Sequence, residues 1–120
     1  MADVLAIHED QIRHFGGATG LRDAGQLEAA LFRPQSGYYA DIVAEAAALW
    51  ESLSQNHAFV DGNKRTAFAA TFTFLAINGL DLTADAELAW LFISGLYQRH
   101  DFRFEALEPW LRQNVVTSPQ

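Results

Sequence analysis

The stretch HAFVDGNKRTAFAATFTFLAI, residues 57–77, decides the fold because a charged loop passes directly into the most apolar part of the chain. Lys64 is the only lysine of the sequence, and it stands beside Arg65, just after Asp61 and Gly62. The apolar run that follows is too short to span a bilayer, which requires about 20 apolar residues. It therefore predicts a buried helix with basic charge concentrated at its start.

Length and composition predict one compact domain over the 120 residues, of which 50% are hydrophobic. The formal net charge of −7 argues against direct binding to nucleic acid or to an anionic membrane surface. The absence of cysteine excludes a disulfide framework and fits a reducing compartment. The N-terminus lacks the basic and apolar regions of a secretory signal, so we expect a cytoplasmic protein.

Apolar residues recur at helical spacing, whereas the alternation typical of strands is scarce. The pattern predicts an all-α fold, a compact bundle of about six helices around a central buried helix. The first helix should end at the glycine pair Gly16 and Gly17, and residues 115–120 should form a flexible tail. The predicted helices cover approximately residues 4–15, 24–31, 42–55, 63–78, 86–99 and 104–113.

Several helix starts are predicted from polar residues that can accept a first-turn amide. Asp23 is expected to cap the second helix and Asp41 the third, and either Thr83 or Asp85 opens the fifth. Pro109 should lie in or near the first turn of the last helix, where a missing amide donor is tolerated.

The start of the fourth predicted helix has the chemistry of an anion site. First-turn amides have no partners within the helix and lie at the positive end of its dipole. Gly62 lets a ligand approach the backbone closely, and Asn63 can either fix the loop or donate its amide. Lys64 and Arg65 supply charge that suits phosphate oxygens. We therefore expect a phosphate-binding site at residues 62–65.

Two residues before this helix complete a transfer site. Asp61 would repel a phosphate, but it suits Mg²⁺, which commonly joins one or two carboxylates to substrate phosphates. His57 could take a proton from an attacking hydroxyl group. Each feature alone has a structural explanation, as a capping pair or as a solvated helix start. Together, within ten residues, they predict phosphate-transfer chemistry.

The same residues resemble the Fic/Doc superfamily, and specifically its death-on-curing (Doc) branch, the toxins of two-gene toxin–antitoxin modules. Residues 57–65, HAFVDGNKR, fit the Doc signature H-x-F-x-D-[AG]-N-K-R. Ala58 stands where many relatives have proline, and this departure removes no functional group. Further similarity covers nearly the whole chain and is carried by IHEDQI at 7–12, GGATGLRDAGQLEAALFRPQ at 16–35, TFLAING at 73–79 and PWLR at 109–112.

The resemblance implies an all-helical fold around one central helix, with His57 as the catalytic base and Asp61 as the magnesium ligand. It also implies a cradle for the phosphates of ATP, formed by Gly62, Asn63, Lys64 and Arg65, in which the two cations act on the reacting phosphate. Doc-type proteins phosphorylate a threonine of elongation factor Tu and so stop protein synthesis. A cognate antitoxin neutralises them by laying a C-terminal helical segment in a groove.

Lys64 bears on the choice between two chemistries. Classical Fic enzymes carry glycine at this position and transfer AMP, whereas a lysine stem fills the space that the α-phosphate would need. Such an obstruction favours a nucleotide pose that presents the γ-phosphate, and the chain is therefore predicted to be a protein kinase. Two alternatives stay open: AMP transfer to a protein hydroxyl, and a non-catalytic regulator that binds its antitoxin, whose basic DNA-binding part would suit the acidic chain.

Overall fold

A computed structural model describes residues 2–118, which form six α-helices, one short 3₁₀ helix and one pair of β-strands. This confirms the predicted all-α fold. No helix in this described part of the chain is long and apolar enough to cross a membrane. The elements in chain order are α1 (Ala2–Phe15), α2 (Ala24–Phe32), the 3₁₀ helix (Arg33–Gln35), α3 (Ile42–Gln55), α4 (Asn63–Ile77), β1 (Leu80–Leu82), α5 (Ala86–Gln98), α6 (Phe104–Asn114) and β2 (Val115–Thr117).

Aspartate side chains cap three of the helices, as the sequence predicts. Asp23 caps α2, Asp41 caps α3 and Asp85 caps α5, and each accepts at least one main-chain amide of the first turn. Of the two residues considered for the start of α5, the cap is Asp85 and not Thr83. A cap of this kind contributes about 1 kcal/mol because it satisfies amides that have no partner within the helix.

The centre of the bundle is shared by α3 and α4. Small residues let the two helices approach closely, since Ala46, Ala47 and Ala67 are all fully buried. The last residue of α4, Ile77, is 77% exposed, so only part of the apolar run enters the core. The apolar helix after the charged loop therefore lies centrally, and α3 is the more deeply buried of the two.

Trp50 of α3 organises the core through its aromatic neighbours. Its side chain has no exposed surface. It contacts Phe68 and Phe72 of α4 edge-on, with ring centroids 5.9 and 5.4 Å apart. Phe102 and Trp110 close the other sides, at 5.6 and 6.1 Å. Edge-to-face pairs of this kind stabilise a core beyond the area they bury, so α3, α4 and α6 are fixed to one another at this point.

The C-terminal segment differs from the prediction. Val115–Thr117, expected to be part of a flexible tail, forms β2 and pairs antiparallel with Leu80–Leu82. The amide of Ser118 also donates to the carbonyl of Gly79 at 2.8 Å. The pairing joins segments far apart in sequence, so no local pattern indicates it. Residues 119 and 120 of the predicted tail lie outside the described residues.

Pro109, predicted in or near the first turn of the last helix, lies in the second turn of α6. Its missing amide there leaves the carbonyl of Glu105 without the usual helical donor. Both residues are exposed, so water can satisfy that carbonyl.

A partly buried polar network ties the 3₁₀ helix and α6 to α3. The guanidinium of Arg33 pairs with the Glu51 carboxylate and donates to the Ser52 hydroxyl at 3.0 Å and to the Tyr39 hydroxyl at 2.7 Å. The other oxygen of Glu51 accepts the main-chain amide of Phe104 at 2.9 Å, which caps α6. One carboxylate thus serves two elements at once.

Replacing Glu51 by alanine should lower the free energy of unfolding by about 2 to 3 kcal/mol, because it uncaps α6 and leaves the Arg33 guanidinium unpaired. Urea unfolding followed by circular dichroism measures the change. Glu28→Ala, on the exposed side of α2, is the matched control and should cost less than about 0.5 kcal/mol. Equal losses in the two variants would show that the network does not contribute as described.

Candidate functional site

The loop between α3 and α4 (residues 56–62, the signature loop) is paired with the loop between α1 and α2 (residues 16–23, the glycine loop). The carbonyl of Ala58 accepts the main-chain amides of Arg22 and Asp23 at 2.7 and 2.9 Å. An isolated antiparallel bridge continues the pairing at the next residue of the signature loop. Both loops therefore have their main-chain groups satisfied by each other, which fixes their relative position.

His57 lies near the start of the signature loop, just before the buried residues Ala58 and Phe59. Its φ is +50°, in the left-handed region, which histidine enters more readily than most residues. The Arg22 guanidinium holds this backbone by donating to the His57 carbonyl at 2.7 Å. The His57 side chain itself is exposed. The residue predicted to be the base thus combines a fixed backbone with an imidazole that a substrate can reach.

Asn63 fixes the signature loop with its side chain. The Oδ1 atom accepts the amide of Phe59 and the Nδ2 group donates to the Phe59 carbonyl, both at 3.0 Å. Two roles were considered for Asn63, fixing the loop and donating its amide to a ligand, and its side chain fixes the loop. Toward a ligand, Asn63 can therefore offer its main-chain amide and the second N–H of Nδ2, since one N–H is already bonded to Phe59.

The Asp61 carboxylate is exposed and held by two main-chain amides. Oδ1 accepts from Gly62 at 2.8 Å, and Oδ2 accepts from Ala18 of the glycine loop at 3.3 Å. These bonds, first that of Gly62 and then that of Ala18, lower the pKa of Asp61 below its usual value, and the charge of Arg65 acts in the same direction. At neutral pH the group is a fixed, ionised carboxylate with free lone pairs, which suits a hard cation such as Mg²⁺.

The start of α4 differs from those of the helices around it. Its N-cap residue is Gly62, with φ +75°, and no side chain caps the first turn. By contrast, carboxylates accept first-turn amides at α2, α3, α5 and α6. Arg65 lies beside this turn and donates to the carbonyl of Gly16 at 2.8 Å. Among the α-helices of the described chain from α2 onward, only α4 has a first turn whose amides no carboxylate accepts. Asp61 accepts only the amide of the N-cap residue, Gly62.

Lys64 is directed away from the glycine loop and toward α5. Its ammonium lies 4.3 Å from the ring centroid of Tyr97, a cation–π distance. The Tyr97 hydroxyl is hydrogen-bonded to Ser54 at 2.6 Å, and burial raises the pKa of Tyr97 to about 12. Tyr97 is therefore neutral at physiological pH. The structure brings Asp61, Gly62 and Arg65 together at the glycine loop, and it places the end of Lys64 elsewhere.

The side chain of Lys64 lies in a mostly apolar groove of about 700 Å³ between α5 and the helices α1 and α4. Lys64 and Arg65 both line it. Trp90, on α5, is 66% exposed along the groove. The remaining apolar lining includes Phe15, Phe68, Ile93 and Tyr97. The first turn of α4 therefore borders both the candidate anion site and the groove.

Gly17, Ala18 and Tyr97 also belong to the site, in addition to the residues that the sequence predicts. Gly17 has φ +116°, and a Cβ atom there would lie 2.6 Å from Oδ2 of Asp61. The glycine pair predicts a helix stop, for which one glycine is enough. The second glycine was the signal that another group approaches the backbone.

A family model described as Fic/DOC family matches residues 1–75, which include both loops and most of α4. The chain belongs to the Fic/DOC family. The resemblance drawn from the signature is thereby confirmed for this part of the chain.

Two curated relatives carry Doc names. The protein named Toxin Doc from Mycolicibacterium smegmatis is 52% identical over 79 residues, and the match covers 62% of this chain and 61% of that relative. The protein named Protein kinase doc from Escherichia phage P1 is 32% identical over 91 residues, covering 72% of both. The chain thus spans somewhat less than two thirds of the mycobacterial relative and somewhat more than two thirds of the phage one.

Replacing Gly17 by alanine should raise the pKa of Asp61 part of the way to its usual value, because the new Cβ displaces the carboxylate from the amide of Ala18. Gly16→Ala is the matched control: it has a similar left-handed backbone, φ +83°, but its Cβ would meet no heavy atom within 4 Å. A carboxyl ¹³C titration of Asp61 measures both. The same pKa in all three proteins would contradict the assigned contact.

Proposed function

We propose that this chain is a Doc-type toxin that transfers the γ-phosphate of ATP to a hydroxyl group of a protein. The observation that supports it best is the uncapped start of α4 beside the Arg65 guanidinium and the ionised Asp61 carboxylate. Main-chain donors and charges that are already in position suit the oxygens of a phosphate in transfer. The relatives' names, a toxin and a protein kinase, agree with this function.

In this proposal residues 62–65 form the phosphate cradle, and Arg65 adds charge at its side. The donors are the main-chain amides of Asn63, Lys64 and Arg65, since the amide of Gly62 already donates to Asp61. Gly62 lets α1 pack directly against the start of the cradle, because a Cβ atom there would lie 3.0 Å from Cδ1 of Ile12. The hydrogen bonds of Asn63 to Phe59 hold the cradle in one conformation before ATP arrives. Such preorganisation means that little reorganisation is needed during the reaction.

Asp61 is the residue that would hold Mg²⁺. Within residues 2–118 there is no group of three or more His, Cys, Asp or Glu side chains placed to hold a metal ion, so water and phosphate oxygens would complete the shell. This fits Mg²⁺, which commonly binds through one or two carboxylates and substrate phosphates. When bound, the ion would neutralise charge on the phosphates.

His57 is proposed as the general base. The acceptor oxygen forms a bond to the γ-phosphorus while the bond between that phosphorus and the β–γ bridging oxygen breaks, and ADP leaves. The hydroxyl proton passes to the imidazole of His57. The His57 side chain is exposed, which suits an acceptor hydroxyl on another protein. The hydrogen bond from Arg22 to the His57 carbonyl keeps the base in position.

Lys64 is proposed to select the γ-phosphate. Its stem leaves the first turn of α4 toward Tyr97 and takes space that a glycine would leave empty. The α-phosphate then has no place in the cradle, and ATP presents its terminal phosphate. The proposed acceptor is a threonine of a translation factor such as elongation factor Tu, so the reaction would take place in the cytoplasm and stop protein synthesis.

Incubation with Mg²⁺, γ-labelled ATP and elongation factor Tu should label the factor. His57→Ala should lower the rate by about 10² to 10⁴-fold, the usual contribution of a general base. His100→Ala is the matched control, because His100 is also exposed and has a similar φ of +53°. This control should transfer label at the wild-type rate.

Other outcomes would support the alternatives. Label that arrives only from α-labelled ATP would mean AMP transfer. If wild type and His57→Ala arrest growth equally on expression, or if neither does, the non-catalytic regulator would be favoured.

We also propose that the groove receives the C-terminal helical segment of an antitoxin. An apolar groove with exposed Trp90 on its wall and two cations at one end suits an amphipathic helix. The partner is expected to be encoded by a short reading frame immediately upstream, with a DNA-binding N-terminal half. Binding there would also cover the first turn of α4.

Trp90→Ala should weaken binding of that upstream gene product by at least about 10-fold, because exposed tryptophans in grooves tend to dominate interface energies. Ile77→Ala is the control, since Ile77 is 77% exposed but lies outside the groove lining. Isothermal titration calorimetry measures both affinities. Equal losses would show that the segment binds elsewhere.

A further inference from the structure

The buried histidine of α1, His8, contacts the signature loop at two points. Its side chain is only 3% exposed, although imidazole is polar. The Nε2 atom lies 2.7 Å from the main-chain carbonyl of Asp61. The ring stacks in parallel on the ring of Phe59, with centroids 3.8 Å apart and planes within 8°. Because this buried polar ring contacts both Asp61 and Phe59, it does more than fill space in the core.

The hydrogen bond has a definite direction. A carbonyl oxygen only accepts, so the Nε2 atom of His8 must carry the proton and donate it to Asp61. Both oxygens of the Asp61 carboxylate already accept amides, from Gly62 and from Ala18. The three oxygen atoms of Asp61 are therefore held from α1, from the N-cap of α4 and from the glycine loop.

We propose that His8 is a positioning residue that sets the direction of the Asp61 carboxylate. With the carbonyl of Asp61 fixed, rotation of the adjoining peptide is blocked, and the carboxylate stays between its two amide donors. The stack on Phe59 holds the other end of the same segment. The loop contacts stand on the geometry alone, whereas the consequence for catalysis rests on the proposed phosphotransfer.

The closeness of the packing supports this role. A Cβ atom on Gly62 would lie 3.0 Å from Cδ1 of Ile12 and 3.6 Å from Nε2 of His8. One face of α1 thus packs directly under the start of α4, and His8 is its polar contact. Residues that orient a metal-binding group from behind commonly change metal affinity or activity by about 10 to 100-fold when replaced.

The test compares His8→Gln with His8→Met in the full chain. The two side chains have nearly the same length and both lose the ring stack, but only glutamine keeps an N–H donor. Amide hydrogen exchange, followed by NMR, reports the loop at Phe59 and Gly62, with the amide of Trp50 in α3 as the internal reference. We expect exchange at the two loop amides to rise at least 10-fold in His8→Met relative to Trp50, and less in His8→Gln.

The catalytic readout is the Mg²⁺ concentration that gives half-maximal transfer. It should rise about 10 to 100-fold in His8→Met, with the KM for the acceptor protein unchanged, and His8→Gln should recover part of the loss. If the wild-type chain transfers no label at all, the proposed function fails, and the amide exchange still decides the role of His8.

Equal exchange in the two variants, or a rise that extends to Trp50, would overturn the proposal and assign His8 to core packing. The wild-type protein provides a check that needs no folded variant. The ¹⁵N spectrum of the His8 ring must show a proton on Nε2, and a ring protonated on Nδ1 alone would also overturn the proposal.

Discussion

The main-chain pairing between the glycine loop and the signature loop is the constraint on which the site depends. Surface loops that connect helices are usually mobile, but here the Ala58 carbonyl accepts two amides from the opposite loop. The same contact brings the amide of Ala18 to the Asp61 carboxylate and the carbonyl of Gly16 to Arg65. His57, Asp61 and Arg65 thus keep their places because main-chain hydrogen bonds join two loops that are distant in sequence.

Electrostatics explain why this arrangement stands out in a chain with a net charge of −7. Carboxylates are used throughout to cap the starts of helices, from Asp23 at α2 to Glu51 at α6. At α4 the rule is reversed: glycine takes the cap position, and Lys64 and Arg65 follow in the first turn. Because exposed charges are screened beyond roughly 8 to 10 Å, the start of α4 is locally electropositive even though the whole molecule is acidic.

The sequence predicts those features of the structure that depend only on residues close together in the chain. Helix starts at Asp23, Asp41 and Asp85 follow from local capping, and the fold class follows from helical periodicity. Contacts between distant segments could not be predicted in the same way. The pairing of β1 with β2 is one, since the valines at 115 and 116 alone do not specify a partner. The position of Lys64 over Tyr97 is another, because its rotamer is decided by a helix that begins more than 20 residues later.

The solitary lysine has a practical consequence. The chain contains a single ε-amino group, and that group lies in the groove, on the residue that follows Asn63 in the first turn of α4. Reductive methylation with ¹³C-formaldehyde would therefore place one side-chain reporter at this position, apart from the N-terminal amine. A methyl signal next to the Tyr97 ring is shifted by the ring current, so its position would follow both nucleotide and helix binding. The methylated Lys64 would therefore report on both proposed ligands, the nucleotide and the antitoxin helix, from one position.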